Sequence, residues 1–325
     1  MQQMTRRSFI GWPGAGRIML ALLVGIPAAM GYPWSSERDK WVLGLAGIAI
    51  VVLFGWWRGL YITTMVRRRL MMNRRRRPDL ETLTQATALL SVEPLTADSD
   101  ALPIELLARY LDRYGIRAEM IRIINCNNSF ETNKTWIGLT VSAAENLAAL
   151  RARSSRIPLS ETVQVAARRL AEHLRELGWG ASLVGLDSVP QYVASSARET
   201  WRGVREETGD YVAAYQIHPA HRTGEALADV LAAVWSYPAR ETWTVLEIAG
   251  RLGRPTVAAA CIFRTVGRPE AAAPVPGLIP QAGQHRQTLA GLEPVTARRL
   301  DGHSSWSADL LTELAWPITA IAATR

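Results

Sequence analysis

Asp187 is the residue best placed for chemistry. It follows the strand-like run Ala181–Leu186. A carboxylate at a strand end can hold a metal ion or a sugar nucleotide, and it can equally cap the segment that follows, here Asp187–Ala197. Nothing gathers around it. The sequence contains no Gly-x-x-x-x-Gly-Lys-Ser/Thr phosphate loop, no Gly-x-Gly-x-x-Gly after a strand and no Gly-x-Ser-x-Gly elbow. The two cysteines, Cys126 and Cys261, lie in separate apolar runs, the pattern of reduced buried thiols. Zinc is disfavoured, because no Cys-x-x-Cys occurs and the nearest histidine pair, His218/His221, flanks a proline. Asn127-Asn128-Ser129 and Asn133-Lys134-Thr135 match a glycosylation acceptor, a match without meaning on the cytoplasmic side of a membrane. The sequence thus nominates no catalytic residue, no cofactor site and no metal ligand.

Tryptophan carries more information. Trp136 and Trp243 sit inside strand-like runs and read as core. Trp179, Trp306 and Trp316 lie at element ends, where aromatic side chains anchor protein interfaces, and they are the residues expected to meet a partner.

Charge divides the chain. Residues 1–77 carry thirteen Lys/Arg and two Asp/Glu, a net of +11. Residues 78–325 carry 24 basic and 27 acidic residues, a net of −3. A nucleic-acid binder would carry its positive charge on the folded domain, so nucleic acid is excluded as a partner. The basic segment follows two apolar runs, Ile18–Tyr32 and Trp41–Trp57, separated by the polar loop Ser35–Lys40. This pattern predicts a two-pass membrane hairpin. Ala21, Gly25 and Ala29 supply a small-residue packing face. Trp34, Trp41, Trp56 and Trp57 stand at the membrane interfaces. Arg67, Arg68, Arg69, Arg74, Arg75, Arg76 and Arg77 set the topology and meet anionic lipid. Both termini and the large domain are then cytoplasmic, at the inner membrane. Thr5–Ile10 resembles a twin-arginine export signal, but Ala28-Ala29-Met30 is a poor cleavage site, so an uncleaved anchor is expected.

Beyond the hairpin, residues 78–100 read as a linker with a short helix over Asp79–Leu90, and residues 101–325 as one cytoplasmic domain. Helices are predicted over Pro103–Tyr114, from a Ser160 cap to Gly178, and over Glu225–Ser236. Strands are predicted over Ile116–Asn125, Thr135–Val141, Ala181–Leu186, Trp201–Arg205, Tyr211–His218, Trp243–Ile248 and Thr256–Val266. Pro269–Pro280 reads as an extended loop, and Trp306–Ala323 as a final helix broken at Pro317. The fold class expected is α+β: two N-terminal transmembrane helices followed by one mixed α/β cytoplasmic domain.

Three segments carry a family resemblance: Thr135–Trp179 (TWIGLTVSAAENLAALRARSSRIPLSETVQVAARRLAEHLRELGW), Leu231–Ala260 (LAAVWSYPARETWTVLEIAGRLGRPTVAAA) and Gly277–His285 (GLIPQAGQH). With the hairpin and its arginine stop, the chain resembles EccE, a membrane component of the mycobacterial ESX (type VII) secretion systems. Its shortness resembles the branch belonging to the iron- and zinc-responsive ESX system. The resemblance implies a non-catalytic subunit of an inner-membrane complex with EccB, the ATPase EccC and EccD, exporting Esx pairs and PE/PPE proteins. It brings no active-site residue. The competing reading is a membrane-tethered enzyme with a sugar-nucleotide-type domain around Asp187.

Overall fold

The computed structural model describes residues 15–30, 36–57, 60–71, 84–95, 101–128, 133–153, 158–189, 191–218, 224–251, 253–294, 296, 298–306, 311, 314 and 316–317. The Thr5–Ile10 motif, Trp34, Arg74–Arg77 and the linker residues 96–100 lie outside them. Two compact units divide the chain, Met1–Arg76 and Arg77–Arg325.

The first unit contains α1 (Ala15–Met30), α2 (Glu37–Phe54), the short strands β1 (Trp56–Trp57) and β2 (Leu60–Tyr61), and α3 (Ile62–Met71). It corrects the expected pair of transmembrane helices. Among the described residues, no helix is long and apolar enough to cross a membrane. Two local causes account for the difference. α1 has 16 residues, which at 1.5 Å per residue spans only about 24 Å of a hydrocarbon core of about 30 Å. α2 begins with Glu37, Arg38, Asp39 and Lys40, and its apolar run stops at Phe54 because Trp56–Trp57 turns back to pair with Leu60–Tyr61. The two helices pack on each other with Ala28 and Ala46 buried.

The second unit is built on an antiparallel sheet rather than a mixed one. In chain order it runs β3 (Gln85–Pro94), β4 (Ala101–Leu102), α4 (Ile104–Arg109), β5 (Asp112–Arg113), β6 (Ile116–Asn128) and β7 (Lys134–Ser142). Then come α5 (Leu147–Arg153), α6 (Leu159–Glu176), β8 (Trp179–Val184), β9 (Arg198–Thr200), β10 (Gly203–Arg205) and β11 (Tyr211–Ile217). The chain continues through α7 (Gly224–Trp235), β12 (Glu241–Arg251), β13 (Arg254–Thr265), β14 (Leu278–Pro280), α8 (His285–Leu292), β15 (Ser304–Ser305) and β16 (Trp316–Pro317). The main path through the sheet is β8-β3-β7-β6-β12-β13-β11-β10-β9, antiparallel at each step.

One arrangement occurs twice in that order. β3-α4-β6-β7-α6-β8 is a βαββαβ unit with its strands in the spatial order fourth-first-third-second, the split βαβ pattern. β11, α7, β12, β13 and β14 repeat it, because β14 pairs the outer edge of β11. In the second copy the loop 266–277 stands where α6 stands in the first. The copies join edge to edge through β6 and β12, with Ile124 opposite Val245. Each crossover leaves room for a strand between the two it connects, so no consecutive βαβ repeat is visible along the chain.

Both faces of the sheet are covered. On the first, Ile121, Ile123, Ile137, Leu139, Leu246 and Ile248 pack against helix residues that include Leu107, Leu170 and Leu231. On the second, Ile124, Trp136, Trp243, Val245 and Ile262 meet Tyr192, Leu289 and Leu292. Trp136 and Trp243 stack with ring centroids 5.8 Å apart, and Tyr192 abuts Trp243 edge-on at 5.0 Å. Strands buried on both faces lose their polar alternation, which explains the near-continuous apolar runs of β6, β7, β12 and β13.

Several local expectations are revised. The helix expected over Asp79–Leu90 gives way to β3, which begins at Gln85 and takes its partners from β7 and β8. Pro158, not Ser160, stands at the N-cap of α6. Trp316–Pro317 forms a two-residue strand against Ala101–Leu102 rather than part of a helix. Gly250 has φ of 95°, and a Cβ there would sit 2.9 Å from the Arg254 carbonyl, so the β12–β13 hairpin requires glycine at this position.

Candidate functional site

The strongest charged constellation lies on the second face, inside the protein. Arg122 on β6 and Glu247 on β12 are directly opposite in the sheet register. Their side chains are 1% and 0% exposed, and Arg122 Nη2 donates to Glu247 Oε2 at 2.6 Å. Arg122 Nε adds a second bond to the same oxygen at 3.2 Å. The other face of the guanidinium holds the chain that follows α8. Nη1 donates to the carbonyls of Glu293 at 2.5 Å and Thr296 at 3.4 Å, and Nη2 to that of Arg298 at 2.9 Å. Glu247 Oε1 accepts from the Leu300 amide at 3.2 Å and bonds His303 Nε2 at 2.9 Å.

The pair therefore fastens residues 293–303 across the sheet. From there Ser304–Ser305 pairs with Thr256–Val257, and the chain carries Trp306, Leu311, Leu314 and Trp316 into the core of the first face. Both carboxylate oxygens of Glu247 are occupied, so it offers no lone pair to a substrate, and its geometry is that of a clamp. Burial alone would raise the Glu247 pKa; the His303 hydrogen bond and the Arg122 charge outweigh it and hold the group below its ordinary value. A depressed carboxylate contributes stability that is fully present above its unfolded pKa, about 4.3, and is lost as pH falls through the lower native value. Glu293, pushed up by burial, acts in the opposite sense. The informative quantity is thus a difference. The gap between the urea midpoints of wild type and Glu247→Gln should be constant from pH 6 to 5 and should shrink as pH is lowered toward 3. A gap independent of pH would contradict the clamp.

A second cluster ties down the far part of this face. Arg264 donates to Glu241 at 2.8 Å, to Glu206, and to the Tyr192 carbonyl at 3.0 Å. Beside the clamp lies a cavity of about 50 Å³ lined by Gln216, Gln281, Gln284, Arg298 and Asp301 among others. Its amides are spent on one another and on the backbone: Gln284 donates to Gln281 at 2.7 Å, and Gln281 to the Ile279 carbonyl at 3.1 Å. The space suits ordered water.

The residues expected from sequence fall elsewhere. Asp187 sits in an exposed 3₁₀ turn, Leu186–Ser188, and its carboxylate folds back over Gly185. Trp179, Trp306 and Trp316, expected at an interface, are buried at 2%, 5% and 0% exposure, so they are interior residues and cannot present a surface. In the first unit, Ala21 and Gly25 are half-buried, and a Cβ at Gly25 would touch Ile50 of α2 at 3.6 Å. The neighbouring residue at the close approach is Ala28, while Ala29 is exposed. Trp41 is 71% exposed at the start of α2, and Trp56 and Trp57 form β1. Arg67, Arg68 and Arg69 lie on α3. Among the described residues, no group of three or more His, Cys, Asp or Glu side chains could hold a metal ion. The clamp escaped the sequence reading. Its signal is one charge inside each of two short apolar runs, Arg122 within Met120–Ile124 and Glu247 within Trp243–Ile248.

Residues 130–217, which include β7 to β11, match the family described as "Putative type VII ESX secretion system translocon, EccE". The ESX-3 secretion system protein EccE3 of Mycobacterium tuberculosis (strain H37Rv) is 53% identical over 319 residues, covering 97% of this chain and 95% of that protein. The protein of the same name from Mycolicibacterium smegmatis is 43% identical over 289 residues, 88% of this chain and 90% of its own length. At that identity over nearly the whole length, the chain belongs to the EccE family of ESX secretion system components.

Proposed function

We propose that the chain is a non-catalytic structural subunit of the inner-membrane complex of an ESX type VII secretion system. In this reading it works beside EccB, the ATPase EccC and EccD, and supports export of Esx and PE/PPE proteins in iron or zinc acquisition. The observation that carries it is the use made of the buried charges. Arg122 and Glu247 are consumed in fastening the chain to itself, as expected of a rigid scaffold and not of a substrate site. Relatives named as ESX-3 secretion system proteins support the system and its metal-linked branch.

Membrane association rests on the first unit. Met19, Leu23, Ile48 and Val51 are each more than half exposed, and lipid or the helices of membrane subunits would cover them. Arg67, Arg68 and Arg69 would meet anionic head groups at about 1 kcal/mol each. The buried thiols Cys126 and Cys261 fit a sheet unit on the reducing, cytoplasmic side.

The test is deletion followed by complementation. Cells lacking the chain should lose Esx export and accumulate incomplete membrane complexes on native gels. Wild type and Asp187→Asn should restore both equally. Normal export and a full-sized complex without the chain would contradict the proposal. A folded Asp187→Asn protein that fails to complement would favour an enzyme.

A further inference from the structure

A surface feature lies apart from the buried clamp, where β5 turns into β6. Arg113 pairs with Ile116, so Tyr114 and Gly115 form a two-residue hairpin turn. Both have positive φ, 56° and 69°, the mirror-image turn that Asn-Gly fits without strain. A tyrosine there is costly, and Tyr114 is the one non-glycine residue with positive φ among those described. Its ring is 45% exposed and is flanked by two guanidinium groups. Arg169 of α6 lies 4.5 Å from the ring centroid and Arg113 lies 5.2 Å from it. Arg113 also covers Tyr110 at 5.0 Å. Tyr110 is fixed beneath, edge-on to Tyr114 at 6.3 Å and bonded to His173 Nδ1 at 2.5 Å.

Of the acids nearby, Glu105 pairs with Arg109 at 2.6 Å, and Asp112 lies 4.0 Å from Arg117. Among the described residues, Arg113 and Arg169 have ring partners and no carboxylate partner. A guanidinium partnered by an aromatic ring retains N–H donors for a carboxylate fork.

We propose that Tyr114, Arg113 and Arg169 form a docking platform for an acidic segment of a partner protein, which places one carboxylate on each guanidinium. This deepens the complex-subunit reading and rests on it. An anionic lipid surface offers the same two guanidinium groups a phosphate instead of a carboxylate, and the nature of the crosslinked product separates the two occupants.

The test places a photo-crosslinking benzoylphenylalanine at Val165, 45% exposed and one turn before Arg169, in the full chain within its membrane. The crosslinked peptide is then sequenced. The expected product is a partner peptide with two or more Asp/Glu residues. Tyr114→Asn and the Arg113→Gln/Arg169→Gln pair should each lower its yield by about tenfold or more, as loss of charge-assisted bonds implies. Tyr114→Asn should at the same time keep or raise the melting temperature, because asparagine suits the turn; a purely packing role for the ring would lower it. A crosslink to lipid, to a peptide lacking acids, or with unchanged yield in Tyr114→Asn overturns the platform. If neighbouring subunits co-purify but nothing crosslinks, the platform falls and the subunit reading stands. If no subunit co-purifies, both fall.

Discussion

Glu247→Ala should lower folding stability by about 3–5 kcal/mol, the usual cost of leaving one member of a buried ion pair without its partner. For a unit of this size that is a fall in melting temperature of about 10 °C. The cost is large because the guanidinium of Arg122 stays at 1% exposure with no counter-charge. The Leu300 amide and His303 Nε2 lose their acceptor at the same time. Replacing both partners, as Arg122→Met with Glu247→Leu, should recover most of the loss, since two apolar side chains leave nothing uncompensated. The carbonyls of Glu293, Thr296 and Arg298 would then need water, so recovery should be incomplete. Thermal melts of the three proteins decide the matter. A Glu247→Ala protein within about 1 kcal/mol of wild type would show that the clamp contributes little.

Ending the chain at Leu292 should have the larger effect and prevent folding of the sheet unit. Arg122 would lose its three carbonyl partners, and Glu247 would lose Leu300 and His303. Trp306, Leu311, Leu314 and Trp316 would leave the core of the opposite face. Large apolar truncations of this kind cost about 2–5 kcal/mol each, so the sum reaches about 10 kcal/mol, comparable with the whole stability of a typical domain. The expected result is an insoluble or protease-sensitive product. A soluble fragment with a cooperative transition would mean that residues 293–325 decorate a sheet already complete without them.

The secondary structure of the sheet unit was largely legible because its signals are local. Val163, Leu170 and Leu174 repeat at helical spacing, and α6 buries that stripe. Trp243–Ile248 and Thr256–Val266 read as strands and form the central hairpin of the sheet. What was hidden depends on distant partners. Gln85–Leu90 read as helix, and only β7 and β8 on either side make it a strand. The pairing of Arg122 with Glu247 joins strands far apart in sequence, and no single stretch announces it. Trp306 and Trp316 looked like interface anchors because they stand at the ends of expected elements; β15 and β16 carry them inward. The N-terminal hairpin failed as a pair of membrane spans for a countable reason. Four charged residues open α2, and a turn after Phe54 ends it, whereas an apolar count across Trp41–Trp57 passes over that turn. The Tyr114 platform had no signal at all, since the positive φ and the approach of Arg169 exist only once the hairpin and α6 meet.

The proposed role is that of a structural subunit of a secretion complex. The most direct measurement is to tag its C-terminus, extract the membranes in mild detergent and quantify what co-purifies. The account predicts a type VII ATPase and two further membrane subunits in fixed proportion to the chain, with that proportion lost for Glu247→Ala. Repeated recovery of the chain alone under the same mild extraction would contradict it.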